Sequence, residues 1–153
     1  MSANYAKIGE LYDKAGTLAG VRYSVYDSGP EGRDWIDAVE MRFEHGVASI
    51  YADADFDTIR LELSSLLVRE GCYVIDATSA EPWVTGVGRS SSWIWLLRNQ
   101  QGYEDGLRFE FSRQEQAEKK CVVTLVVIAS ELKVYSSQEV NLSTVRSSDN
   151  KTA

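Results

Sequence analysis

Between Val39 and Ala52 apolar side chains alternate with polar ones on both sides of a His-Gly pair, and this pattern leaves little choice of local fold. Strict alternation places successive side chains on opposite faces of a strand, and a short turn between two such runs makes an antiparallel hairpin. With His45 and Gly46 as the turn, Glu44 faces Val47, followed outward by Phe43 with Ala48, Met41 with Ile50 and Val39 with Ala52. Glu40, Arg42 and Glu44 then stand beside Ser49, Tyr51 and Asp53 on the other face. Hydrophobic pattern and turn chemistry agree, which is what fixes a register from sequence.

Other segments follow the same period. Val21, Tyr23 and Val25 alternate before a break at Ser28, Gly29, Pro30 and Gly32, and Ile59, Leu61 and Leu63 form a further strand. Cys72–Ala77, Trp93–Leu97, Leu107–Phe111 and Cys121–Ala129 read as strands, with Val134 and Tyr135 closing the domain, whereas 64–70 fits helix or strand equally. Trp93 and Trp95 are expected in the core by alternation, and Ser79–Ser92, rich in glycine and serine, reads as a long connection carrying an exposed Trp83. One helix is legible: Tyr5, Ile8, Leu11, Tyr12, Ala15 and Leu18 recur at three- and four-residue spacing, with Gly16 or Gly20 ending it.

These elements predict an α+β domain, a mostly antiparallel and curved β-sheet with an N-terminal helix packed on it. A chain of 153 residues suits one core, taken here as 1–140, followed by a polar tail over 141–153. No charged-then-apolar leader opens the chain, and its longest apolar run, Cys121–Ala129, falls far short of the ~20 residues a membrane helix needs. Cys72 and Cys121, without CxxC spacing, read as reduced core thiols, so the expected location is the cytoplasm.

Net charge is −7, and all of that excess is carried by 27–57, where nine acids meet only Arg33 and Arg42. Such a segment repels a phosphate backbone, which argues against nucleic acid, and favours a basic protein partner. Asp53, Asp55 and Asp57 resemble the opening of a calcium loop, but Thr58 and Ser64 stand where glycine and a bidentate glutamate would be needed. His45, the only histidine, falls at a hairpin tip, away from any orienting carboxylate and nucleophile, and zinc ligand spacing is absent. Gly86, Gly88 and Arg89 lack the following helix that makes a glycine loop hold phosphate. No cofactor, metal or catalytic residue is expected, and enzymatic activity is not motivated.

The turn Asn99-Gln100-Gln101-Gly102-Tyr103-Glu104-Asp105-Gly106, the strand Leu107–Phe111 and the segment Val127–Leu132 resemble small bacterial single-domain proteins of unknown function. The resemblance covers the second half of the chain and implies a stand-alone domain of the kind that includes toxin-neutralising immunity proteins; no functional residue is carried over from it. The expected function is therefore non-enzymatic binding of a basic protein. Glu40, Glu44, Asp53, Asp55 and Asp57 would steer association, and Trp83, Arg89, Arg98 and Tyr103 would supply contacts. The alternative is a small-molecule-binding domain or minor enzyme with an aromatic-lined pocket. The sequence leaves strand order and oligomeric state open.

Overall fold

A computed structural model describes residues 2–112 and 121–136. The expected charged connection at 114–120 and the polar tail lie outside the described residues. In chain order the elements are α1 (Ala3–Lys14), β1 (Leu18–Tyr26), β2 (Trp35–Phe43), β3 (Gly46–Asp53), β4 (Thr58–Glu62), β5 (Cys72–Asp76), α2 (Trp83–Gly86), β6 (Ser90–Arg98), β7 (Glu104–Ser112), β8 (Cys121–Ile128) and β9 (Glu131–Tyr135).

All strand pairs are antiparallel, and they form two curled layers, β5-β1-β2-β3-β4 and β9-β8-β7-β6. The layers are continuous through two single bridges, Ile36 to Leu132 and Thr17 to Ser90. Between them lies one core, with Val21, Tyr23, Met41, Ile50 and Leu61 from the first layer meeting Leu107, Phe109, Phe111, Val123 and Leu125 from the second. The expected α+β sheet with an N-terminal helix packed on it is what forms.

Helix α1 contacts both β4 and β6, the outermost strands of the two layers. Ser2 caps it by accepting from the Tyr5 amide, and Gly16, with φ of 79°, turns the chain away. Its buried side is Asn4, Ile8, Leu11 and Ala15. Tyr5 and Tyr12, expected on that side, are exposed, and Leu18 belongs to β1. A polar residue, Asn4, takes the place an apolar one was expected to fill. Its Nδ2 donates to the Ile59 carbonyl (2.9 Å) and the Glu104 carboxylate (3.1 Å), and its Oδ1 accepts from the Leu61 amide (3.0 Å). One side chain thus continues the hydrogen-bond ladder at the β4 edge.

The β2–β3 hairpin forms two residues away from its expected register. Phe43 pairs with Gly46, Met41 with Ala48 and Val39 with Ile50, so Glu44 and His45 make the turn. A slip of two leaves every side chain on its original face, and hydrophobic pattern cannot detect it. Non-local bonds select the observed register: Glu44 N–H donates to the Thr17 carbonyl (3.0 Å) and His45 N–H to that of Ala15 (2.9 Å).

Segment 63–71 is neither helix nor strand. It leaves β4 and crosses the outer face of β3 and β2 to reach β5. Ser49 Oγ donates to the Ser64 carbonyl, the Leu67 amide donates to Tyr51 Oη, and Arg69 pairs with Asp37. This strap buries Glu40, Ser49 and Tyr51 on a face that alternation assigns to solvent.

Candidate functional site

The five acids expected to act together do not share a surface. Glu40 is fully buried beneath the strap. Its carboxylate accepts from Arg22 Nε and Nη2 (2.9 and 3.0 Å), Arg42 Nε (2.8 Å) and the Leu66 amide (2.7 Å). Burial pushes its pKa up, but these donors outweigh it and hold the carboxyl below the usual range. Glu40 is a structural charge, closed to a partner. Glu44 is exposed at the opposite end of β3 from Asp53, roughly 25 Å away along an eight-residue strand. It accepts from the Thr17 amide and hydroxyl (2.9 Å each), which lower its pKa.

Asp53, Asp55 and Asp57 do come together, in the β3–β4 turn. Asp53 Oδ1 accepts from the Asp55 amide (3.2 Å), an Asx turn set by the sequence itself. Asp57 has φ of 53° and reaches across to accept from the Ser130 amide (2.9 Å) in the β8–β9 turn. Residues 129 and 130 also have positive φ, 52° and 65°, which gives the two-residue hairpin its twist. Arg33, from the β1–β2 loop, pairs with Glu131 (3.0 Å), which also receives Lys133 (2.8 Å) and has a lowered pKa, chiefly through Lys133. Three loops from distant parts of the chain are thereby fixed at one end of the domain.

At the centre of the acidic turn Phe56 projects with 71% of its surface exposed, and Ile128 at the end of β8 is about half exposed. Sequence reasoning missed Phe56. The available signal was an aromatic residue falling outside the alternation of β3 and β4, between two aspartates. The β6–β7 turn stands at this same end by register. Here Tyr103 is exposed, its amide donating to Asn99 Oδ1 (3.2 Å), and Arg98 pairs with Glu104 (3.2 Å).

The remaining expected contacts lie elsewhere. Trp83, expected exposed, is fully buried: the connection folds into α2, and the indole N–H donates to Tyr23 Oη (2.5 Å). Burial raises the Tyr23 pKa despite that bond. Trp93 and Trp95, expected in the core, point outward and stack with centroids 6.3 Å apart, while Ile94 and Leu96 face the core. Both faces of β6 are apolar, so its period could not choose between them. Cys121 is buried, its thiol donating to the Pro82 carbonyl and pushed up to about 11 by burial. Cys72, expected in the core, is only half-buried, and burial again raises its pKa.

Arg89 lines a cleft of about 770 Å³ between α1 and the start of β6, with Tyr12, Asp13, Thr17, Ser92 and Trp93 among its walls. Among the described residues no group of three or more His, Cys, Asp or Glu could hold a metal ion, and no helix is long and apolar enough to cross a membrane.

These features define a two-layered antiparallel α+β domain whose helix contacts the outer strand of each layer and whose loops build an acidic end around the exposed Phe56. The chain belongs to DUF6334, a family of unknown function, whose model matches residues 8–141. No curated protein and no solved structure matches it.

Proposed function

We propose that this is a non-enzymatic protein-binding domain that engages a basic partner through the end built by the β3–β4, β8–β9 and β1–β2 loops. The observation that carries the reading is Phe56, 71% exposed on a turn held by Asp53 and by the Asp57–Ser130 bond. A turn whose backbone is already fixed loses little freedom on docking, so more of the burial of the aromatic ring it carries appears as affinity. The surrounding carboxylates of Asp53, Asp55 and Asp57 accelerate capture of a positively charged surface, and Tyr103 extends the contact. A toxin whose basic active site is occluded by this end is one partner of that chemistry, consistent with an immunity function.

The test is a photo-crosslinking residue placed at Phe56 in the native host. A discrete adduct is expected, reduced by added salt and by joint replacement of Asp53, Asp55 and Asp57 with asparagine. No adduct, or one indifferent to those changes, overturns the reading.

A second reading is small-molecule binding in the cleft beside α1, favoured by its volume and by the exposed Tyr12 and Trp93 on its walls. Ligand-detected NMR against a metabolite library, with Tyr12→Ala as the control, separates it from the first.

A further inference from the structure

The strap that crosses β3 and β2 is held differently from the strands around it. Register sets Arg22, Glu40 and Ser49 side by side on the face beneath it, and Ser24, Ala38 and Tyr51 in the next row. That makes a mostly polar floor. The apolar side chains of the strap largely turn away from it: Leu67 is 66% exposed and Val68 45%, while Leu66 is half-buried. Residues 64–70 belong to no β-ladder. Side chains of the floor hold their backbone instead. Glu40 Oε2 accepts from the Leu66 amide (2.7 Å), Tyr51 Oη accepts from the Leu67 amide (2.9 Å), and Ser49 Oγ donates to the Ser64 carbonyl (2.7 Å). At the far end Arg69 Nε donates to Asp37 (2.9 Å), a pair open to solvent on the arginine side.

A segment held in this way can leave its floor at low cost. Little apolar surface returns to water when it lifts, and the donors and acceptors it releases are hydrated at once. Glu40 keeps its compensation, because Arg22 and Arg42 are carried by the sheet and not by the strap. The Arg60 guanidinium, 5.2 Å over the Tyr51 ring, goes on shielding that ring. Ser24 Oγ, fully buried beside the Cys72 thiol, makes no hydrogen bond of ordinary geometry among the described residues, a desolvation cost of the closed state that opening relieves. Both ends of the segment are pinned. Leu63 packs on the core, and the Gly71 carbonyl accepts from the Asp27 amide (2.9 Å), with Gly71 itself at φ of 82°. We infer that residues 64–70 form a hinged strap that opens as one unit while both layers stay folded. Opening brings a carboxylate between two guanidinium groups to the surface of β1 and β2, so this face of the protein has two states.

Native-state hydrogen exchange of the full chain, followed by NMR in urea concentrations below the unfolding transition, tests this. Corrected for intrinsic rates, the Leu66 and Leu67 amides should exchange together, about a hundredfold or more faster than those of Phe109 and Leu125 in the internal strands β7 and β8, and with little dependence on urea. Tyr51→Phe removes the acceptor of Leu67 alone. If the strap moves as a unit, that change should speed exchange at Leu66 and Leu67 by the same factor, about fivefold for one lost hydrogen bond, and leave Phe109 and Leu125 as they were. Arg69→Ala, which touches neither amide, should also speed both. Protection at Leu66 and Leu67 equal to that of the core, acceleration of Leu67 alone in Tyr51→Phe, or equal acceleration of the core amides overturns the inference. Phe56 takes no part in these bonds, so the result stands or falls apart from the proposed partner surface.

Discussion

Asp57 accepts a hydrogen bond from the amide of Ser130 at 2.9 Å, and the two residues joined by it both lie in the left-handed region. Ala129 is the third non-glycine residue with positive φ among those described, so this backbone strain gathers where the β3–β4 and β8–β9 turns meet. Left-handed backbone costs a non-glycine residue on the order of 1 kcal/mol and persists where its surroundings fix it. Asp57→Ala removes the acceptor and should destabilise the fold by ~1–2 kcal/mol in urea unfolding. Ala129→Gly relieves strain and should cost nothing or stabilise by up to ~1 kcal/mol in the same assay.

Glu40→Gln should be among the most damaging single changes. The amide keeps the shape, but one of its ends is a donor, facing Arg22, Arg42 or the Leu66 amide with no lone pair to offer. Breaking a buried charge network this way costs about 3 kcal/mol, partly softened because both arginines reach solvent. The midpoint of chemical unfolding reports it, and faster hydrogen exchange at Leu66 should accompany the loss.

Acid should weaken the fold through three carboxylates. Glu40, Glu44 and Glu131 all have native pKa values below the ordinary glutamate value of 4.5. The unfolded chain therefore takes up their protons first, and stability present above that value is lost as pH falls through the lowered native values. Thermal melts between neutral and strongly acidic pH should show the decline beginning near the ordinary carboxylate range. Glu44→Gln should make it shallower.

Thiol and indole probes should divide by burial rather than by residue type. Cys121, with its pKa pushed up to about 11, should react with iodoacetamide at neutral pH only when the domain unfolds. Iodide should quench Trp93 and Trp95 and spare Trp83, so Trp83→Phe should raise the quenchable fraction of the fluorescence while Trp93→Phe lowers it.

Alternation made the strands legible because it reports which face of each strand is buried. It carried no information where both faces are apolar, as in β6, nor where a crossing segment buries polar residues, as the strap does over Glu40 and Ser49. Register was recoverable only to within two residues, since Thr17 and Ala15, far from the hairpin in sequence, decide it. The acidic turn was visible in the spacing of Asp53, Asp55 and Asp57. Its union with the β8–β9 turn depends on Ser130, 73 residues away from Asp57, and no local pattern encodes that.

The Asn4 amide, finally, has a bearing on how this chain avoids clumping. A strand with unsatisfied amides and carbonyls along its rim is a template on which a neighbouring molecule can grow. By occupying the Ile59 carbonyl and the Leu61 amide, Asn4 leaves less of β4 available for such growth. A chain shortened past α1, or frayed there by heat, would offer that rim to its neighbours and seed fibrils, with the helix acting in the intact protein as a guard against its own sheet.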